Sequence, residues 1–269
     1  MAITALHAAA TGLRALSTDI DVIANNLANS ETTAFKGSRV NFEDLFYQTL
    51  KQPGTDGSTG QIAPSGIAVG LGTRIGNTEI DMSQGSMQNT NNPLDIGIQG
   101  PGFFRVKVLS TLGDGTAYSR NGAFYVNADN ELVLGVGDGY QLVPPVTIPT
   151  GVTNITISQD GNITGLKAGA EAPTTIGQIK ISQFVNPQGL SQLGGSLFQE
   201  TAASGPPIES IPGDQGSGQL LQNFLEASNV DPVNELVNLI KTQRAFELNS
   251  QSIQTADQAL ETVANLRRS

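Results

Sequence analysis

His7 is the only histidine in the chain, and no cysteine accompanies it. A nucleophile–histidine–acid triad would have to be built around that single imidazole, and zinc, which takes several histidine or thiolate ligands, finds too few donors. His7 follows Leu6 in a run of helical periodicity, so it reads as a surface or inter-helix packing group. The 24 acidic residues are scattered singly, and none lies in an apolar surround that would raise one carboxyl of a hydrolytic pair. Gly70-Leu71-Gly72-Thr73-Arg74-Ile75-Gly76 has the wrong spacing for a phosphate cradle and no helix pattern after it, while Gly97-Ile98-Gln99-Gly100-Pro101-Gly102 leads into a strand-like run. Both read as turns and tight backbone contacts. Asn127, Asp129 and Glu131 alternate as calcium ligands can, yet the loop lacks the length and central glycine of an EF-hand and reads as a β-turn. The expectation is a protein that is not an enzyme and has no catalytic, metal or cofactor-binding residues.

What remains unusual is the run ANNLAN at residues 24–29. Asparagine favours caps and turns over helix interiors, and residues 22–30 carry no charge, although a solvated helix face normally recruits Glu, Lys and Arg. An uncharged face of amides and alanines suits close contact with further copies of the same chain, since each amide both donates and accepts. Asn25, Asn26 and Asn29 are therefore candidate subunit-interface residues in a homopolymer.

A helix must present these amides. Leu6, Ala9, Leu13, Leu16, Ile20, Ile23 and Leu27 recur with alternating steps of three and four, which predicts a helix over about residues 4–29 with a heptad seam. At the other end Leu239, Phe246, Ile253 and Leu260 recur every seven, with Thr242, Asn249, Ala256 and Val263 between them. Asp231-Pro232 supplies an N-cap and a first helical position. So narrow an apolar seam packs against another helix, either by pairing the two termini or with each helix capping a separate part of one globule. With Leu6, Leu13, Ile20 and Leu27 at the first heptad position, Asn25 and Asn29 face away from the seam.

Glycine and proline divide the rest. Residues 1–52 contain only Gly12 and Gly37 and no proline, residues 219–269 only Pro232 and no glycine, and the remainder of the 31 glycines and 13 prolines falls between. Such punctuation favours short strands with turns. Alternation in FFRVKV (103–108) and ITISQDGNI (155–163) marks strands, and Asp114-Gly115, Asn121-Gly122, Asp138-Gly139, Asp160-Gly161 and Pro212-Gly213 mark turns. An antiparallel sandwich or partly closed barrel fits that spacing. The fold class is then α+β: N- and C-terminal helices paired as a coiled coil, with an inserted mainly antiparallel β domain and an extended connector. The predicted domains are the N-terminal helix (1–35), the connector (36–90), the β-rich domain (91–222) and the C-terminal helix (223–269). A net charge of −10 opposes phosphate backbones, so no nucleic-acid partner is expected. No stretch of about 18 apolar residues predicts membrane insertion, and the amino terminus has no basic region of a cleavable signal peptide.

ANNLAN followed by Thr32-Thr33-Ala34-Phe35-Lys36 resembles the amino-terminal motif of the bacterial flagellar rod and hook proteins. LDIGIQGPGFFRV from Leu94 to Val106 is similar to that family's entry into its β domain, AYSRNGAF from Ala117 to Phe124 to the strand and turn after it, and the run from Ser228 to Leu266 to its carboxy-terminal helix. NFEDLFYQTLKQPG at 41–54, followed by PSGIAVGLGTRIG, looks like the distal-rod branch. Two departures stand out: Ala34 replaces a usual glycine, and Asn130-Glu131 a usual glycine turn. The resemblance implies a structural subunit of the flagellar basal body that self-assembles into the stiff distal rod, a drive shaft transmitting torque to the hook. It implies export without a cleavable signal peptide and a periplasmic location. The implied partners are the chain itself as a homopolymer, proximal rod subunits, hook subunits, the bushing rings and the flagellar export apparatus. It adds Phe35, Lys36, Phe42, Leu45 and Tyr47 to the candidate interface. Another rod or hook subunit, or a secreted β-rich binding module, are the alternative readings.

Overall fold

The computed structural model describes residues 2–54, 65–109, 115–135, 137, 139–167, 172–214 and 216–266. Residues 55–64 of the expected connector, the turn residues Asp114 and Asp138, and the side chain of Val263 lie outside them. The chain forms two compact units, each assembled from distant segments: residues 1–28, 38–80 and 231–269 make the first, residues 29–37 and 81–230 the second.

The first unit holds both long helices, α1 (Ala2–Ala28) and α2 (Pro232–Leu266). Between them in sequence lie β1 (Ser38–Asp44), β2 (Tyr47–Lys51), β3 (Ile67–Gly70) and β4 (Thr73–Ile80). α2 starts where an N-cap was expected. Asp231 Oδ1 accepts the Val233 N–H at 2.9 Å, and the Asp231 carbonyl accepts Glu235 N–H at 3.0 Å. Pro232 then supplies the first position, where a missing N–H costs nothing. The connector is ordered as strands where it is described: β1 pairs with β4 and β2 with β3, both antiparallel. Leu45 N–H to Gly72 O at 2.9 Å and Leu71 N–H to Phe46 O at 3.2 Å continue the pairing between the two ladders.

The second unit is β structure, and each of its described ladders is antiparallel. Its main sheet runs, edge to edge, Ser191–Gly194, Leu197–Gln199, Thr116–Ser119, Phe103–Lys107, Tyr140–Leu142, Leu132–Leu134 and Phe124–Val126, with Ile181–Gln183 linking Phe103–Lys107 to Ile208–Ser210. A three-stranded sheet follows the predicted 155–163 hairpin: Val152–Ile157, Asn162–Lys167 and Thr174–Gln178. One core joins these sheets, drawing Phe104, Phe124 and Leu134 from the first and Ile157 and Ile163 from the second. Side chains so buried each contribute about 1.5–3 kcal/mol. Gly122 is needed for a close approach, since a Cβ there would lie 1.7 Å from the Ile96 carbonyl oxygen. Asn127 forms the expected turn, its Oδ1 accepting the N–H groups of Asp129 and Glu131, and Asn130 takes the left-handed φ of 62° that asparagine tolerates.

Candidate functional site

The candidate surface lies on the first unit, where α1 and α2 run antiparallel. Asn26 meets Glu235, Asp19 Oδ2 accepts a hydrogen bond from Thr242 Oγ1 at 2.9 Å, and Gly12 faces the Asn249 amide. Each step of seven along α1 is matched by a step of seven backward along α2, which keeps the same helix faces together. The line of closest contact differs from the leucine seam. It runs one position earlier around α1: Gly12 before Leu13, Asp19 before Ile20, Asn26 before Leu27. Gly12 and the buried Ala15 have small side chains, which lets the backbones approach. Ile23 is buried, whereas Leu6, Leu13, Leu16, Ile20 and Leu27 are only partly covered, as are Leu239, Phe246, Ile253 and Leu260 on α2.

The asparagines separate. Asn25 is exposed and Asn29 partly buried, with Asn29 Oδ1 accepting Thr32 Oγ1–H at 3.1 Å. Asn26, assigned from the sequence to a neighbouring copy, is instead 3% exposed and committed within its own chain. Its Nδ2 donates to Ser38 O at 2.8 Å and its Oδ1 accepts Ser38 N–H at 3.0 Å. This two-way bond pins the start of β1 to α1 as a ladder partner would. Heptad periodicity carries no sign of this bond, because the partner is a backbone group twelve residues on, outside any helical repeat.

Lys36 also departs from its expected interface role, since it is 1% exposed within the second unit. Its Nζ donates to Glu226 Oε1 and to Ser83 O, both at 2.6 Å, while Arg120 Nε donates to Glu226 Oε2 at 2.6 Å. Burial pushes the Lys36 ammonium below its ordinary range, against the opposing pull of Glu226. Phe35 beside it is partly buried.

Phe42, Leu45 and Tyr47 sit on the strand system of the first unit. Phe42 and Tyr47 are 45% and 60% exposed, Leu45 partly buried, and Phe46, outside the expected interface, is 89% exposed. Leu50 and Ile67 are exposed on the same hairpin. The hairpin base is seated on α1: Thr11 Oγ1 accepts Thr73 N–H at 3.3 Å and His7 Nδ1 lies 3.2 Å from Leu71 O. Gly72, with φ at 116°, leaves no room for a side chain, because a Cβ would fall 2.1 Å from Thr11 Oγ1. The glycine cluster and the lone histidine thus serve backbone packing. No group of acidic or histidine side chains among the described residues is arranged to hold a metal ion.

α2 has a second apolar face. Val233, Leu236, Val237, Ile240 and Leu248 are each 45–69% exposed. At 100° per residue they cluster on the side of the helix opposite Glu235, Thr242 and Asn249. The heptad of Leu239, Phe246, Ile253 and Leu260 marks only the face toward α1, and the sequence signal of the other face is this second stripe, offset by half a turn. At the edge of the contact with α1, a notch of about 210 Å³ is lined by Asp19, Asn26, Arg39, Glu235, Lys241 and Thr242, with Val22 and Ile23 between them. Burial there, with Asp19 and Asp231 nearby, raises the Glu235 pKa above its ordinary 4.5.

Three family models match. "Flagella basal body rod protein" covers residues 6–36, "Flagellar hook protein FlgE/F/G D1 domain" residues 97–165, and "Flagellar basal body rod FlgEFG protein C-terminal" residues 221–266. The flagellar basal-body rod protein FlgG of Buchnera aphidicola subsp. Schizaphis graminum is 44% identical over 265 residues, 98% of this chain and 100% of that one. FlgG of Borreliella burgdorferi is 44% identical over 267 residues and FlgG of Bacillus subtilis 37% over 268, each spanning 98% of both chains. Two long helices that leave apolar faces open and full-length likeness to rod proteins converge: the chain belongs to the flagellar basal-body rod protein family and is a structural subunit of the rod.

Proposed function

We propose that the chain is a distal-rod subunit that stacks into a stiff helical homopolymer, a drive shaft carrying torque to the hook. The observation that carries this reading is the outer stripe of α2, Val233, Val237, Ile240 and Leu248, left in water on the side away from α1. Burying that stripe is favourable only against another surface. A contact between two different surface patches of successive copies excludes a closed two-fold dimer and produces an open helical polymer when the rotation between copies does not close into a ring. In this reading α1 and α2 act as an antiparallel coiled coil whose partly covered leucines and outer stripe meet neighbouring helices. The β2–β3 hairpin, with Phe46 and Tyr47, braces adjacent copies. The relatives' names support a place in the basal body. The periplasmic setting, the proximal rod and hook subunits at either end, the surrounding rings and the export apparatus as partners follow from the family resemblance. The test is electron microscopy and sedimentation of concentrated protein beside Ile240→Glu. Straight tubes from the parent chain and monomers from the variant are expected, and tubes of equal length from both would remove the α2 stripe from the interface.

A further inference from the structure

Beside the base of the β2–β3 hairpin, a hollow of about 290 Å³ opens between α1 and β4, lined by Arg14, Ala15 and Thr18 on one side and by Leu45, Arg74 and Ile75 on the other. Its floor is apolar: Ala15 is 3% exposed, and Leu45 and Ile75 are partly buried. The hydroxyls around it are turned to backbone. Thr11 Oγ1–H donates to Ala8 O at 2.8 Å, Thr18 Oγ1–H to Arg14 O at 3.4 Å and Thr73 Oγ1–H to Glu43 O at 2.9 Å. They have no proton left for an occupant, so the hollow below its rim suits an apolar group. A cavity of about 150 Å³ admits a benzene ring, and a phenyl ring therefore fits here with space to spare.

The rim carries an unused cation. Arg14 is the only lysine or arginine of α1, and among the described residues its guanidinium has no hydrogen bond or ion pair, whereas Arg74 is held by Glu43 Oε2 at 2.8 Å. The group that matches floor and rim lies on the same unit but does not fill the hollow of its own chain. Phe46 is 89% exposed, more than any other large apolar side chain of the first unit. Its backbone is fixed, since Leu71 N–H donates to Phe46 O at 3.2 Å and Leu45 N–H to Gly72 O at 2.9 Å. A bare aromatic ring on an ordered backbone loses little freedom when it docks. Two residues before it, the exposed Asp44 sets a carboxylate beside the ring.

We propose that the hollow is the seat of Phe46 from the next copy of the chain, with Arg14 at the rim meeting the Asp44 that accompanies that ring. The guanidinium then has both an opposite charge and an aromatic face to lie over. Ring and hollow are different patches, so each copy gives one ring and takes one, and the contact passes on from copy to copy. The seat rests on the distal-rod reading above and names, for the bracing segment of that reading, the surface on which it docks.

Photo-cross-linking of the assembled full chain tests it. A chain with p-benzoylphenylalanine in place of Phe46, mixed into excess parent chain and assembled, should give covalent dimers under ultraviolet light. The cross-linked peptides should map to residues 11–18 or 73–75 of the acceptor copy, and dilute monomer should give no dimer. Arg14→Glu sets like charges together at the rim and should raise the critical concentration for polymer formation about tenfold. Adding Asp44→Arg to it should bring that concentration back to the parent value, with the melting temperature unchanged throughout. Straight tubes whose cross-links map outside those residues would overturn the seat and leave the distal-rod reading standing, and so would an Arg14→Glu chain that assembles like its parent. A concentrated parent chain that stays monomeric would overturn that reading and the seat together.

Discussion

Asn25 and Asn26 are adjacent residues of one type with opposite surroundings, and substitution should separate them. Asn26→Asp leaves Ser38 O without its donor and sets a carboxylate beside Glu235. The expected loss is about 1–3 kcal/mol, read as a lower denaturation midpoint of the first unit. Asn25→Asp is exposed and should change folding stability by no more than about 0.5 kcal/mol. Any defect it causes should appear only in polymer yield. Glu235 yields a prediction in pH. Its folded pKa is raised above 4.5 by burial, so the folded chain binds this proton more tightly than the unfolded chain. Stability from this group is therefore lowest at neutral pH, grows as pH falls through the raised value, and is complete below 4.5. Asp19, Asp231, Arg39 and Lys241 stand around it. Glu235→Gln should raise the melting temperature at pH 7 and flatten its slope between pH 7 and pH 4.5. An unchanged slope would assign the pH response elsewhere.

At the scale of elements, periodicity carried the two helices, and alternation with turn residues carried the strands at 103–107 and 152–167. These signals are local, which is why they were legible. The rotation of the α1 contact line was not, because heptad counting marks the largest apolar side chains, whereas closest approach selects the smallest, Gly12 and Ala15. The strand pairs β1–β4 and β2–β3 were missed for a different reason. Their partners lie 16 to 42 residues apart, from Lys51–Ile67 to Ser38–Ile80, across a low-charge stretch with weak alternation, so pairing is decided by long-range contact. Ala34 stands in place of a usual glycine, and its φ of 55° is the conformation that glycine would take without strain. The burial of Lys36 is not legible locally, because its partner, Glu226, is 190 residues away. The apolar side chains of the β2–β3 hairpin argue for a contact outside the chain, since a lone two-stranded ribbon is marginal in water. Phe46→Ser should leave thermal stability within about 0.5 kcal/mol, because the side chain is 89% exposed. Its expected effect is a higher critical concentration for polymer formation, measured by sedimentation.

For the whole molecule, stiffness is the property that separates a shaft from a flexible joint, and it depends on whether neighbouring copies can slide. Helix faces alone permit sliding, because equivalent apolar positions recur every few residues along them. A hairpin projecting from each copy into the next removes that freedom. The structure allows the hairpin to be removed cleanly. Phe46 and Leu71 are hydrogen-bonded at its base, and Leu45 and Gly72 continue the bond pattern into β1 and β4. Replacing residues 47–70 with a two-residue Asn-Gly turn should close that base without disturbing the β1–β4 pairing or the seat of Gly72 on α1. The shortened chain should fold with the stability of its parent and still polymerise through α1 and α2. Its tubes should be curved and flexible, with a persistence length in electron micrographs well below that of the straight parent tubes. Straight tubes of undiminished persistence length from the shortened chain would move the bracing to the helix contacts themselves, whereas failure to polymerise at all would make the hairpin part of the primary interface.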